Sequence, residues 1–332
     1  MDRRKCVVCG KKAVVSLPYG PHAFCRRHFL EFFEKRVRKN ARENRLVEGR
    51  EKIVVAYSGG KDSGVTLCLM KKIFGKSNPV EALLIDEGIP KYRDSALEIA
   101  EKNCRKWKIP FKRVSFEGEF GFTMVDVMRK TGPKKALGST CSYCGVLRRK
   151  LLNRHAREMG AGKIATGHNL DDEAQSVIMN VFDADMARFR RLGPKSEKRK
   201  GFVQRIKPLC TSPEKDIIAF ARLSNIRYFE QKCCPFRWQA KRNDFRETLD
   251  AFEEKYPGTK YSIMRFFGQA KEAMGEGKNG NVLASGRGEG KALANGGEKG
   301  LLGTCAECGE PCSGKVCKAC KMAERIGGKA DG

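Results

Sequence analysis

No apolar run in the 332 residues approaches the roughly 18 needed by a membrane-crossing helix, so the 40% hydrophobic content reads as a soluble chain with no membrane partner. The opening Met1-Asp2-Arg3-Arg4-Lys5-Cys6 lacks the apolar centre of a secretory leader, which places the expected location in the cytoplasm. Acidic residues are scarce too: 39 Asp and Glu stand against 67 Lys and Arg, a formal charge of +28. That excess goes beyond what solubility requires and suits a polyphosphate partner, nucleic acid by default. Arg38, Arg42 and Arg45 share one face at helical spacing, and Arg188, Arg190, Arg191, Lys195, Lys198, Arg199 and Lys200 form a dense basic segment. No long internal repeat is present, and neither of two common nucleotide loops fits the glycine-rich stretch at 58–63. A Gly-x-x-x-x-Gly-Lys-Ser/Thr loop is excluded because Asp62 follows Lys61, and the dinucleotide pattern Gly-x-Gly-x-x-Gly is absent there.

What is present is the apolar strand Val54-Val55-Ala56-Tyr57 running into Ser58-Gly59-Gly60-Lys61-Asp62-Ser63 and then a helical pattern. Gly59 and Gly60 let the backbone approach an anion closely, and the N–H groups that open the helix point at it with the positive end of the helix dipole. Lys61 and the hydroxyls of Ser58 and Ser63 complete a phosphate socket. Strands are expected near Ile53 to Tyr57, Glu81 to Asp86, Phe111 to Phe116, Lys163 to Thr166 and Gln204 to Pro208. They alternate with helices such as Asp62 to Phe74 and Tyr92 to Lys106, which predicts an α/β fold with a doubly wound parallel sheet. The expected domains are a cysteine and histidine module at 1–28, a basic connecting helix at 29–50, a nucleotide-binding catalytic domain at 51–272, a Gly- and Lys-rich linker at 273–303 and a four-cysteine module at 304–323.

Fifteen cysteines with cytosolic features point to metal before disulfides. Cys6-x2-Cys9 followed by Cys25-x2-His28 is a tetrahedral zinc set, and Cys305-x2-Cys308 with Cys317-x2-Cys320 is a second; in modules this small, metal supplies the folding energy. A third set differs, since Cys141-x2-Cys144 has no nearby second pair and Cys233-Cys234-Pro235 arrives about ninety residues later. Three thiols suit an open catalytic metal or an iron–sulfur cluster with one iron uncovered, while a lone Cys-x-x-Cys would also serve as a redox pair or a partial zinc site. Cys68, Cys104 and Cys210 read as core thiols. Gly167-His168-Asn169-Leu170-Asp171-Asp172-Glu173-Ala174-Gln175 opens a helix whose Leu170, Ala174, Val177, Ile178 and Val181 line one face. Its acidic trio either complements the helix dipole, or holds magnesium against phosphates, or orients the attacking species.

The Ser58 to Ser63 pattern resembles the PP-loop of the ATP pyrophosphatase superfamily. Together with Cys141 and Cys144, the Gly167 to Gln175 stretch, Cys234-Pro235 and the terminal zinc modules, it resembles the tRNA 2-thiouridine synthetases of the TtuA and NcsA type, over nearly the whole chain. The resemblance implies a PP-loop fold that binds ATP, magnesium and tRNA, two zinc ions, a homodimer, and a ubiquitin-like sulfur carrier ending in a Gly-Gly thiocarboxylate. It also implies that Cys141, Cys144 and Cys234 hold a 4Fe-4S cluster through three irons, Cys234 being preferred to Cys233 because the family cysteine directly precedes proline. By the same resemblance Asp172 is the active-site aspartate, Arg148 lies near the ATP phosphates, and backbone groups of Ala56, Leu84 and Gly167 frame the adenosine.

The expected reaction is adenylation of the C2 oxygen of a uridine followed by substitution with sulfur, with Lys61, Arg148 and the loop amides stabilising charge on the phosphates. Three other readings share parts of these data. A persulfide thiolase would carry sulfur on Cys141 or Cys234 without a cluster, and a 2-thiocytidine synthetase shares the loop and cysteine logic but not both zinc modules. A non-catalytic zinc-finger nucleic-acid-binding protein explains the charge but leaves Ser58 to Ser63 and Asp172 without a purpose.

Overall fold

The computed structural model describes residues 4–131, 139–230, 234–236, 241–276 and 303–328. Cys233 and residues 277–302, most of the expected linker, lie outside them. At the N-terminus β1 (Val15–Ser16) and β2 (Ala23–Phe24) form a small hairpin, followed by α1 (Arg26–Glu43). The central sheet has β3 (Lys52–Ala56), β4 (Val80–Asp86), β5 (Phe111–Ser115), β6 (Ala161–Ala165) and β7 (Gln204–Ile206), all parallel, in the order β5-β4-β3-β6-β7. Between and after these strands come α2 (Lys61–Phe74), α3 (Tyr92–Lys106), α4 (Phe116–Phe120), α5 (Met124–Thr131), α6 (Thr140–Glu158), α7 (Leu170–Phe182), α8 (Met186–Arg190), α9 (Glu214–Leu223), α10 (Arg242–Lys255) and α11 (Thr259–Lys271). The chain ends with β8 (Gly303–Thr304), β9 (Pro311–Cys312) and α12 (Lys318–Arg325).

A parallel sheet covered on both faces demands strands that are apolar throughout, and β3 meets this with Ile53, Val54 and Val55 completely buried. Val54, Leu83, Ile85 and Ile164 face a core built with α4, α5 and α6. Ile53, Val55, Ala82, Leu84 and Ala165 face the opposite core with α2 and α3. Outside α2, the apolar stripe Phe29, Phe33 and Val37 of α1 packs on Ile217, Phe220 and Ala221 of α9. Phe33 and Phe220 stack at 4.7 Å between ring centroids. The basic side of α1 is partly neutralised, since Arg38 pairs with Glu34 at 2.7 Å one helical turn away.

The C-terminal module docks on the domain, against α6. Met322, Ala323 and Ile326 join the core that holds Leu147 and Leu151, and burying the methionine and isoleucine contributes roughly 1.5–3 kcal/mol each. Buried Glu310 receives Arg157 at 2.5 Å and Asn153 at 3.1 Å. Lys130 donates to the Ile326 carbonyl at 2.7 Å. The module therefore braces the helix that carries Cys141 and Cys144. On α7 the apolar face is shorter than its sequence pattern: Leu170, Ala174 and Val177 are buried, whereas Val181 is 53% exposed.

Candidate active site

β3 and β6 are neighbours at the point where the strand order reverses, β4 and β5 lying to one side and β7 to the other, so their carboxyl ends form the topological switch point where ligands enter such sheets. The turn after β3 is built for close approach. Gly59 has φ of +82°, and a Cβ there would lie 2.1 Å from the Ala96 carbonyl oxygen. Gly60 is the N-cap of α2, whose first N–H groups stay unpaired by any side-chain cap. Ser58 and Ser63 hydroxyls lie 2.9 Å apart, and Ser63 donates to the Gly60 carbonyl at 3.1 Å, which closes the turn on itself. Gly167, after β6, faces the same turn, where a Cβ would sit 2.8 Å from the Ser63 nitrogen. Ala56 and Leu84 turn their side chains into the cores, so only their backbones can meet a ligand. Gly59→Ala is therefore expected to lower the urea midpoint, with about 1–3 kcal/mol from the backbone conformation alone, and to abolish ATP binding in calorimetry. Wild-type affinity in that variant would contradict the geometry.

Lys61 is clamped by Asp62 at 3.0 Å and Glu214 at 2.6 Å. Burial lowers its affinity for a proton, but these two carboxylates outweigh that and hold it above its ordinary value. Burial pushes the Asp62 carboxyl up against the pull of Lys61. Asp62 also accepts from Asn169 at 3.1 Å, which ties the two loops of the switch point together.

The acidic trio at the start of α7 divides. Asp171 is buried against Lys260 at 2.5 Å and Glu173 against Lys207 at 2.8 Å, so both are committed to ion pairs. Asp172 forms a capping box with Asn169, at 2.9 and 3.2 Å, and is about a third exposed, with Arg242 at 3.8 Å. Of the three, Asp172 faces the nucleotide turn closely enough for its charge to act on Asp62. His168 is exposed and bonds to the Thr166 hydroxyl at 2.8 Å.

Cys141 and Cys144 sit one turn apart at the start of α6, which is capped by Ser139 accepting from the Ser142 N–H. The third thiol arrives along a segment pinned to the nucleotide turn. Phe229 N donates to the Gly59 carbonyl at 3.0 Å, and its ring meets Tyr92 edge-on at 5.5 Å. Five residues later comes Cys234, within about 18 Å of Phe229 even if the chain were fully extended. Cys234 feels the charges of both Cys144 and Cys141, and the Cys141 thiol lies 3.8 Å from the Phe236 carbonyl. The three cysteines thus converge.

Burial pushes the Cys144 and Cys234 thiols up, and their shared neighbourhood adds to it, an arrangement that a multiply charged centre relieves. Among the described residues, the sets whose donors all lie within 4.8 Å of one another are the two terminal ones, so the third set is spread too widely for one ion. Thiolates that each take a different iron suit this wider spacing, and the residues fit a cluster of the 4Fe-4S type. Arg148 is turned to the thiols, where its guanidinium donates to Cys144 Sγ at 2.9 Å and pairs with Glu87 at 2.9 Å. Glu87, directly after β4, thus holds it beside sulfur.

In the N-terminal module Cys6 Sγ lies 3.3 Å from His28 Nδ1, Cys25 Sγ 3.4 Å from the same nitrogen, and Cys9 Sγ 3.8 Å from Cys25 Sγ. In the C-terminal module the contacts are Cys305 to Cys320 at 3.7 Å, Cys308 to Cys317 at 3.9 Å and Cys317 to Cys320 at 3.3 Å. Ligands about 2.3 Å from a tetrahedral zinc stand roughly 3.8 Å apart, which these sets match. Burial raises the Cys6 thiol, yet backbone N–H donors of Cys25, Val8 and Cys9 draw it down to about 5.

Glu87, Arg93, Glu214 and Arg242 stand at the site and were not singled out from the sequence, and Asn169 was read only as part of the Gly167 to Gln175 stretch. Glu87 follows the carboxyl end of β4, and Asn169 with Asp172 is a capping pair, so both had a local signal; Arg93, Glu214 and Arg242 reach the site only through the fold.

Residues 29–250 match the family model for the PP-loop domain. The chain is 35% identical to tRNA 2-thiolation protein NcsA of Haloferax volcanii over 97% of its own length and 99% of the relative's. It is 32% identical to tRNA-5-methyluridine(54) 2-sulfurtransferase of Pyrococcus horikoshii, covering 81% and 83%. In structure it matches U34-tRNA thiolase NcsA from Methanococcus maripaludis with its [4Fe-4S] cluster, with a TM-score of 0.76 and 29% identity over 96% of this chain and 95% of that one. With the phosphate turn, the converging thiols and both four-ligand modules in one fold, the chain belongs to the PP-loop family, among the tRNA 2-thiolation proteins.

Proposed function

We propose that this chain is an ATP-dependent tRNA 2-sulfurtransferase that replaces the C2 oxygen of a uridine with sulfur, at position 34. The observation that carries this reading is the convergence of Cys141, Cys144 and Cys234 beside the Ser58 to Ser63 turn. The choice of position follows the U34 thiolase, whose match extends over 95% of its length.

The residues divide the work. N–H groups at the start of α2, with Lys61 and the Ser58 and Ser63 hydroxyls, bind the ATP phosphates and stabilise charge there as the C2 oxygen is adenylated. Asp62 and Asp172 would hold magnesium against those phosphates. Adenylation is needed because oxygen at C2 leaves only once esterified, as AMP. Cys141, Cys144 and Cys234 would hold a 4Fe-4S cluster through their sulfurs, and the chemistry it would supply is an uncovered iron as a binding place for sulfide. Holding both partners in one cleft replaces a collision by a positioned encounter.

Arg188 and Arg205 lie close enough to Arg149 for their charges to act on it, and Arg190, Arg191, Lys198, Arg199 and Lys200 are exposed along the same basic segment. These cations would take the tRNA phosphates. Zinc at each terminal set would be structural. The sulfur donor, following the resemblance, is a ubiquitin-like carrier ending in a Gly-Gly thiocarboxylate, and the assembly is a homodimer in the cytoplasm.

The test is mass spectrometry of tRNA nucleosides after incubation with the cluster-loaded protein, ATP, magnesium and sulfide. The expected product is 2-thiouridine mapped to position 34, formed only with ATP. Thiolation at position 54 would overturn the position, and its absence from both sites would overturn the activity.

A further inference from the structure

An unbroken line of side chains joins the nucleotide turn to the thiol centre. Arg93 donates to the Ser58 carbonyl at 2.8 Å and to the Ile85 carbonyl at 2.8 Å, and pairs with Glu87 at 2.6 Å. The other oxygen of Glu87 takes Arg148 at 2.9 Å, and Arg148 donates to Cys144 Sγ at 2.9 Å. Arg93 and Glu87 are each only 6% exposed at the side chain, so this pair is shielded from solvent and salt. The corner that presents Glu87 is fixed as well: Gly88 has φ of +65°, a Cβ there would lie 2.7 Å from Thr123 Cγ2, and the Glu87 carbonyl accepts from Met124 N at 2.8 Å.

Binding ATP and holding the cluster do not by themselves require this line. The phosphates meet backbone N–H groups, and the cluster needs three sulfurs. A doubly bridged carboxylate between two arginines is expensive to bury unless both ends are engaged.

We infer that Glu87 and Arg93 are positioning residues that couple the nucleotide site to the thiol centre, so that filling one site favours filling the other. Fixing Cys144 in a bound centre fixes its Arg148 donor, then Glu87, then Arg93 and the Ser58 carbonyl, and so orders the turn before ATP arrives. The inference rests on the proposed cluster at Cys141, Cys144 and Cys234. Coupling of this kind is reciprocal: the factor by which the loaded centre tightens ATP is the factor by which ATP tightens the centre.

Calorimetry with ATP and magnesium, without tRNA, on cluster-free and cluster-loaded full-length protein tests it. The loaded form should bind ATP at least about fivefold more tightly, and ATP should slow loss of iron to a chelator. In Glu87→Gln both forms should still bind ATP and iron, with the affinity ratio reduced to one. Should that variant not fold, Arg148→Gln severs the line at its exposed end and should abolish the ratio equally. A ratio of one in the native protein, or a native ratio retained in either variant, would overturn the coupling. Failure of the native protein to hold iron at all would instead sink the cluster assignment on which it rests.

Discussion

Cys141→Ala is expected to abolish thiolation while ATP still binds, with the affinity of the cluster-free native protein. The two outcomes separate because the residue stands on α6, whereas the ATP phosphates are assigned to the turn between β3 and α2. Removing a partner of a metal ligand already costs about 10–100-fold, so deleting one of three ligands is expected to exceed about a hundredfold in thiolation rate. Iron should be lost in parallel. Nucleoside mass spectrometry gives the rate and calorimetry the ATP affinity; thiolation retained with iron missing would exclude the cluster route.

The second large effect comes from the far end of the chain. Cys320→Ser removes a ligand from a module with little core of its own, where zinc binding supplies on the order of 10–16 kcal/mol of folding free energy. Its collapse withdraws Met322, Ala323 and Ile326 from α6 and breaks the contacts of Glu310 with Arg157 and Asn153. The consequence should reach the active site, since α6 carries Cys141 and Cys144. The expected result is a lower melting temperature, rapid proteolysis after residue 302 and reduced iron loading; an unchanged melting curve would show that the module merely hangs on the domain.

Sheet and helices were legible because strand-like runs alternate with helical patterns, plainest in Ile53 to Ala56 of β3 and Ala82 to Ile85 of β4, while β5, β6 and β7 carry Lys112 and Arg113, Lys163 and Arg205. Val54 to Ser63 shows strand, turn and helix in ten residues, and the five expected strands are those of the sheet. The terminal ligand sets were legible for a similar reason, as paired cysteines two residues apart leave little choice of geometry. The contacts of Arg148 were not legible. Its position on α6 is local information, but its direction depends on Glu87, which lies sixty residues earlier and meets it only after β4 and α6 pack. Arg93 had no signal at all, being one cation among 67. The acidic trio looked equivalent in sequence, and only the fold brings Lys260 and Lys207 to two of its members.

The most direct measurement is the iron count with the Mössbauer spectrum of the anaerobically purified chain, before and after sulfide. Three thiols around an incomplete centre predict about four irons per chain, one of them distinguishable from the rest and altered by sulfide. Iron-free protein that thiolates tRNA at full rate would contradict the account and leave a persulfide on Cys141 or Cys234 as the carrier of sulfur.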